Sequence, residues 1–554
     1  MIRVVALGAL MLLGCSDDET TESPHDAGTV PPGCGAGSVV ADGGVCVLAG
    51  VPPERCGAGF EPDGDRGCRA LLPETPCQEG QMAVPGDAAC AEPTPCADGT
   101  WGDAPVDGAT VYVDATYSAA DADGSEARPF STIAPAIDAA PPGSVIVIAA
   151  GSYTGDIAIG GKALRLWGRC ARLVEIVGSG EVNPAAIFVQ NGASGTELHG
   201  LAVRGPQIGI GMSGSKDVVV EGVWVHDTND AGIVVRSVLG AASATVRRSL
   251  VDRAGGGAGV VASGSSVLLD HVEIRATKPI ASGQSGVGAI GQDDAMGKGR
   301  ASLTIVGSYV HDVLAQGISG NGADVAIDAT LVRDVQPQQS DMGFGRGINL
   351  EPAVGTLEPS TATITSSAIE SCHDLGIYVA GSNATVEATV VRDVLPSPAF
   401  ATGRGLHAQD LEEDTSRRST LVVRDTLVER TVEFGVIVTN SDATLERVAI
   451  RDTAAQNGLF GDGLTIVTYQ STANVTLTDS WIAHQPRAGL SVFAADVTLT
   501  RSRFECNAIS LDGEVSNVPY HLEDGGGNEC GCTETGKAEA CKVLTSNLAP
   551  PQKL

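Results

Sequence analysis

The chain is short of basic charge, of aromatic side chains and of long apolar runs, and each shortage excludes something. Among 554 residues, 35 Lys and Arg face 67 Asp and Glu, a formal charge of −32. Affinity for phosphates comes from basic patches and the counterions they displace, so the balance argues against nucleic acid as a partner. Aromatics make up only 4% of the chain, so a core must be built from small and β-branched side chains. No stretch is long and apolar enough to span a bilayer as a helix. What is abundant is glycine, 71 residues. Because Gly costs up to ~1 kcal/mol per site against Ala in a helix interior, helix-rich folds are disfavoured. A Gly-punctuated β architecture remains, too long for one ordinary sandwich.

Residues 1–14 carry one positive charge followed by a short apolar run, the pattern of an export signal. The run ends at Leu12-Leu13-Gly14-Cys15, which resembles the lipobox of bacterial lipoproteins. The resemblance implies that Cys15 is acylated and becomes the mature N-terminus, placing the protein on a membrane by its lipid, in the cell envelope facing periplasm or exterior. Residues 15–33 are acidic, contain proline and lack apolar periodicity, and read as a disordered tether.

Seven cysteines then fall within residues 34–100 with a period of about 20 residues: Cys34, Cys46, Cys56, Cys68, Cys77, Cys90 and Cys96. Turn-rich loops such as Glu61-Pro62-Asp63-Gly64 lie between the members of a unit, suiting disulfide-closed hairpins in units too small for a core. The expected bridges are 34–46, 56–68 and 77–90, with Cys96 reaching forward to Cys170. Cys506, Cys530, Cys532 and Cys541 are expected to make two more within a C-terminal cap at 521–554, leaving Cys372 as a buried free thiol. The segment lacks the close Cys-x-x-Cys pairs and interleaved His of a zinc site. It reads as a stapled stalk.

A different text starts near Thr110. Ser131 or Thr132 opens a short amphipathic helix with Ile133 and Ile137 on one face, Pro142-Gly143 stops it, and the apolar strand Val145-Ile146-Val147-Ile148 follows. The run Pro129-Phe130-Ser131-Thr132-Ile133 through Gly151-Ser152-Tyr153 resembles the opening of right-handed parallel β-helix proteins of the pectin-lyase-like class, including exported β-helix repeat proteins of unassigned function. That resemblance covers about 45 residues and speaks to fold rather than chemistry.

An internal repeat continues the pattern over 110–520. A motif of apolar residues bent at a small one recurs twelve times, from Leu198/Leu201/Val203 through Ile364/Ser367/Ile369 to Leu499/Ser502/Phe504. A Gly-apolar strand such as Gly376-Ile377-Tyr378-Val379 sits between copies, making three strands per coil. No coil buries its inward face alone, whereas stacking at about 4.8 Å builds a continuous Val, Ile and Leu column. From Ile274 onward the motif spacing alternates 36 or 37 with 22 residues, shortening to 32 at the last long coil. The extra residues of the long coils form two rows of loops, which are either a binding face or tolerated insertions.

Two mixed-sign polar columns follow each motif, one holding His226, Asp252, Arg275, His311, Arg333, Glu370, Arg392, Glu429, Arg451 and Glu505, the other Asp227, Arg253, Asp312, Asp334, Asp393, Arg430 and Asp452. They read as exposed ion pairs between coils, or as a charged groove. The long-coil loops place Arg346, Arg404 and Asp462 in one row with His407 close by, the best constellation for catalysis in the chain. Asp293-Asp294 is the nearest approach to the paired acids of polygalacturonases, whose other motifs are missing. Asp410, Glu412, Glu413 and Asp414 offer oxygen ligands for Ca²⁺, or form a solvated loop; no other cofactor is expected. Only Lys216, Lys278 and Lys298 lie in the repeats. The expectation is an all-β, monomeric, lipid-anchored surface protein that binds glycans or matrix without catalysis. The alternative is a polysaccharide lyase or glycoside hydrolase acting on uronate polymers.

Overall fold

Along the repeats, side chains alternate inward and outward with a period of two, and the inward set is Val, Ile and Leu almost throughout. In the computed structural model, which describes residues 38–40, 44–64, 66–294, 299–516, 518–532, 535 and 537–552, this pattern winds into a parallel β-helix of about 14 turns. The leader, Cys15, the tether and Cys34 lie outside the described residues. Each turn contributes one strand to each of three sheets, here called A, B and C. One turn runs Asp324–Asp328 in sheet A, Leu331–Gln336 in sheet B and Arg346–Glu351 in sheet C, and Thr361–Thr365 then returns to sheet A.

The register is set by three inward columns. Sheet A stacks Ile327, Ile364, Val386, Val423, Leu445, Leu477 and Leu499. Sheet B stacks Val332, Ile369, Val391, Val428, Ile450, Ile482 and Phe504. Sheet C stacks Ile348, Ile377, Leu406, Val436, Leu464, Leu490 and Leu511. These are the apolar positions of the sequence motif. Burying each contributes about 1.5–3 kcal/mol, and a one-residue slip would turn a whole column outward.

The small residue between sheets A and B does more than permit a bend. Its hydroxyl donates to the carbonyl two residues back, as Ser367 does to Thr365 and Thr330 to Asp328. It also accepts from the amide of the coil below: Thr330 N donates to Ser367 Oγ and Ser308 N to Thr330 Oγ1. A second hydroxyl column between sheets C and A accepts in the same way, Ser360 N donating to Ser382 Oγ, Ser382 N to Ser419 Oγ and Ser419 N to Ser441 Oγ. Where a hydroxyl stands at the bend, the corner amide below it, which the ladders cannot reach, is thereby satisfied.

One end is closed by the helix Ile133–Ala139, which buries Ile133, Ala136 and Ile137. At the other end the coil pattern runs past residue 520. His521–Asp524 joins sheet A and Glu529–Cys532 joins sheet B, held by the Cys506–Cys532 and Cys530–Cys541 bridges.

The Cys-rich segment is not a free-standing stalk. It lies along the outer face of sheet B as a strap running opposite to coil growth. Gly50 donates to the Arg447 carbonyl, Thr94 to that of Gly222, and Arg169 to that of Ala97. Bridges 56–68 and 77–90 staple its loops, and Cys96–Cys170 fastens its far end. Cys46 is also disulfide-bonded. The reason lies in the outward residues of sheet B. Leu331, Ala368, Val390, Leu427, Ala449 and Trp481 form an apolar stripe, and Ala49, Val51, Phe60 and Cys68 of the strap cover it.

Candidate functional site: a groove under the strap

The strap touches sheet B through two apolar patches. The first is the one just described; in the second, Met82 and Val84 pack on Leu250, beside Trp224 and Tyr309. Between them the Pro-containing run Leu72–Cys77 bows away, leaving a groove of about 620 Å³ over Glu273, Arg275, Tyr309, His311 and Arg333. Strand alternation aims these side chains outward, while Ile274, Val310 and Val332 fill the core. Register pairs Glu273 with Tyr309, Arg275 with His311, and His311 with Arg333.

Asp312 and Asp334 stand at the rim for a backbone reason. The residue ending the outward run of sheet B takes the left-handed conformation, with φ of 50° at Asp312 and 54° at Asp334. Asp227, Arg253, Asp393, Arg430 and Asp452 share this geometry in their own coils. Asp is several-fold favoured there among non-Gly residues, which explains much of the second polar column.

The groups in the groove fix one another's charge. His311 shares hydrogen bonds with Asp312 Oδ2 at 2.7 Å and Glu273 Oε1 at 2.9 Å, and its ring stacks on Tyr309 with centroids 3.9 Å apart. Burial opposes its protonation, but the two carboxylates outweigh burial and raise its pKa. The bond from His311 holds Asp312 below the usual carboxylate range. Asp334 moves the opposite way, raised by burial and then by the charge of Asp312. Burial pushes the Tyr309 phenol up to about 12. Arg275 donates to Glu273 at 2.8 Å and Arg333 to Glu370 at 2.6 Å. The groove thus holds a charged carboxylate beside one that keeps its proton to higher pH.

The first polar column is not the exposed set of ion pairs expected from the sequence. Asp252, Glu370, Glu429 and Glu505 are buried, because the strap and neighbouring coils cover them. Arg392, for example, bridges Glu370 at 2.7 Å and Asp63 of the strap at 2.6 Å. The signal for a cover was in the sequence: Leu, Ala, Val and Trp recur at a position that alternation assigns to the outside.

The row on sheet C does come together, but it is sealed. Arg346, Arg404 and His407 are 7%, 2% and 1% exposed, so no polymer reaches them, which counts against their catalytic role. Arg346 donates to Asp374 at 2.8 Å and lies over Tyr378 and over Phe344 from an inserted loop. Asp462 is buried and bonded to Arg487, which packs on Phe460 from another. Insertions that precede the sheet C strands fold over this face through Phe344 and Phe460, and its charges pair with one another inside. Asp293 lies near Asp294, which is buried and accepts from Ser237 at 2.9 Å.

The four carboxylates offered for Ca²⁺ diverge. Asp410 is buried against Asn440, Asp414 accepts from Ser416, and Glu412 and Glu413 point to solvent. Among the described residues, Glu92, Cys96 and Cys170 are the one group whose potential ligand atoms lie within 4.8 Å of one another, and its two cysteines are disulfide-bonded.

No family model matches this chain, and no curated protein is similar to it. Among solved structures it is similar to the catalytic unit of a GH87 α-1,3-glucanase from Streptomyces thermodiastaticus, with 12% identity, a TM-score of 0.37, and 78% of this chain and 70% of the other covered. A GH136 lacto-N-biosidase from Eubacterium ramulus gives 11% identity and a TM-score of 0.32, covering 66% and 68%. A pectate lyase gives 12% and 0.23, covering 66% and 77%. The likeness is one of backbone course and says nothing of substrate.

Proposed function

We propose that this is a lipid-anchored protein of the bacterial envelope, monomeric and held by Cys15, whose groove under the strap binds a carbohydrate polymer. The observation that carries the reading is the groove itself. At about 620 Å³ it lies within the roughly 300–1,000 Å³ range of ligand-binding clefts. It presents guanidinium donors, carboxylate acceptors and the rings of Tyr309 and His311 within one cleft. Hydroxyl-rich ligands need both donors and acceptors, and a sugar face packs on an aromatic one.

The charge of the groove selects the class of glycan. Glu74, Glu79, Asp252, Glu273, Asp312 and Asp334 outnumber Arg253, Arg275 and Arg333. With a formal charge of −32 on the whole chain, a uronate polymer meets repulsion and a neutral glycan does not. This favours neutral polysaccharide over the acidic polymers a lyase requires.

Retention of the purified chain on insoluble neutral polysaccharides tests the reading, with Tyr309→Ala and Arg275→Ala as groove variants. Retention lost in both variants supports it; equal retention in both places binding elsewhere and rejects it. Metabolic labelling with a fatty acid, lost in Cys15→Ser, tests the anchor.

A further inference from the structure

We infer that the outer face of sheet C in the first coils is a binding slot for a free medium-chain fatty acid, its acyl chain lying across three coils and its carboxylate on Arg236. Sheet C changes character along the solenoid. From Ser319 onward its central outward column reads Ser319, Asn349, Tyr378 and His407, buried beneath inserted loops such as that of Phe344. In the earlier coils the same column reads Phe188, Gly211, Val234, Val261 and Ile290. Ala185, Ile208, Ala231 and Ala258 pack beside it as a second apolar row. The strands Ile208–Ser213, Ile233–Arg236 and Ala258–Ser263 follow sheet B after only a few residues, so no insertion stands ready to fold over them. On sheet B an apolar stripe of this kind lies under the strap; on sheet C nothing among the described residues covers it.

The face is dented rather than flat. Gly211 sits between Phe188 and Val234 in the column, and a Cβ there would lie 3.0 Å from the Phe188 ring and 3.0 Å from Ala185. A glycine inside a strand gives up packing and often marks a place where another group approaches the backbone closely. Pro184, Phe188, Val238 and Leu239 wall the dent, which encloses about 320 Å³. That is the low end of the roughly 300–1,000 Å³ range of ligand cavities, so the slot suits one small apolar body. Val238 and Leu239 are 42% and 46% exposed, and a bound acyl chain would take them out of water.

One charge stands at the slot. Arg236 points outward two residues beyond the buried Ile233-Val234 pair, in a column whose other members, Gln190, Ser213, Ser263 and Gln292, are neutral. At sheet B of these coils Arg204, Arg253 and Arg275 are each bound to a carboxylate, whereas none pairs with Arg236 among the described residues. A guanidinium left open beside an apolar slot fits an anion with an apolar body, and a carboxylate matches its fork. Phe188 and Arg236 lie two coils and two residues apart, roughly 12 Å, the extended length of a chain of about eight to ten carbons. The slot is independent of the groove, which lies on sheet B.

Equilibrium dialysis of the full chain against radiolabelled decanoate, below its micellar concentration, tests the assignment, with hexanoate, decanol and decyltrimethylammonium as competitors. Each buried methylene is worth roughly fourfold in affinity, so hexanoate should compete on the order of 100-fold more weakly than decanoate. Decanol, which lacks the charge-assisted bonds to Arg236, should compete about 10-fold more weakly, and decyltrimethylammonium not at all. Arg236→Gln should weaken decanoate about 10- to 100-fold and leave decanol unchanged, a split that loss of folding would not give. Leu239→Ser, in an exposed turn, should weaken both. Arg248→Gln, on the corner between sheets A and B, should bind like the parent. Decanoate held as tightly by Arg236→Gln as by the parent, equal competition by the three ten-carbon ligands, or no binding of decanoate below its micellar concentration overturns the assignment. So does capture of the chain by phosphatidylglycerol vesicles without binding of free decanoate, which would make the face a membrane contact.

Discussion

The guanidinium of Arg404 grips Glu433 with two hydrogen bonds, Nε at 2.7 Å and Nη2 at 3.1 Å, and its Nη1 donates to Nδ1 of His407 at 3.3 Å. With Nδ1 accepting, His407 is the neutral tautomer. Burial, and then the charges of Arg404 and Arg346, hold its pKa well below 6.5. The unfolded chain therefore takes up a proton that the folded one refuses, so this stability is present above about pH 6.5 and lost as pH falls below it. In melting scans at about pH 7.5 and about pH 5.5, His407→Gln should lose less stability on acidification than the parent. An equal loss in both would mean that His407 is protonated in the fold. His311, with its raised pKa, works in the opposite direction and is common to both proteins.

The same pair predicts an asymmetry between single and double replacement. Glu433→Ala leaves the Arg404 charge buried and unpaired, at a cost of about 3–5 kcal/mol. Replacing both by Leu removes two desolvated charges together and should recover most of that loss. Chemical denaturation monitored by amide exchange around Leu406 and Val436 checks it; a double variant as weak as the single would mean that the charges are needed beyond their pairing.

Glycine supports the fold in a way that composition alone does not reveal. In sheet C the glycines stack: a Cβ on Gly376 would lie 2.6 Å from the carbonyl oxygen of Gly405 and 2.6 Å from Val391 Cγ1. Gly317, Gly347, Gly405 and Gly435 face the next coil's glycine carbonyl in the same way. Gly376→Ala should therefore cost about 1–3 kcal/mol or more by overpacking, while Gly108→Ala, with open space around it, should be neutral. Comparative thermal melts decide it. Equal melting temperatures would show that the coils slide apart freely.

Burial of Cys372 pushes its thiol pKa up, and Sγ donates to the Glu370 carbonyl at 3.5 Å. Since the thiolate is the reactive form, iodoacetamide should leave Cys372 unmodified in the native chain and label it after denaturation. Peptide mass spectrometry reads this directly; native labelling would require the core at Val335 and Ile369 to open.

Much of the solenoid was legible because its cause is periodic. Ile327, Ile364 and Val386 repeat at a fixed place in each coil, and stacking turns that repeat into a column. The hydroxyl corners and the glycine stack were visible as motifs, but their partners lie in the next coil, so their bonding was not. The site was only half legible. His311, Asp312, Arg333 and Asp334 stood out as polar columns, whereas the strap that makes a groove of them comes from more than two hundred residues away. The Arg404 and His407 row was found by the same periodicity and misjudged in exposure. Whether an insertion stands off a sheet or folds across it depends on contacts such as Phe344 on Arg346 and Phe434 on Phe460, 5.2 Å between centroids. No pattern within a single coil encodes these.

The strap makes the last prediction. Its hold on sheet B rests on Phe60 in the apolar patch, on Asp63 bonded to Arg392, and on Arg55, whose guanidinium reaches Glu387 and Asp425 at 2.6 Å each. Arg55 is itself partly exposed and Asp425 keeps Arg447 as a second partner, so loss of Arg55 should cost less than loss of Phe60, at about 3–5 kcal/mol when cut to Ala. Because the solenoid's own columns do not include Phe60, that loss should free the strap without melting the coils. Limited proteolysis of Phe60→Ala should cut within residues 49–95 far faster than in the parent, with the β circular dichroism unchanged. Arg55→Ala should be cut only slightly faster. If Phe60→Ala instead unfolds the whole chain at the temperature where the parent strap is still resistant, strap and solenoid form one cooperative unit.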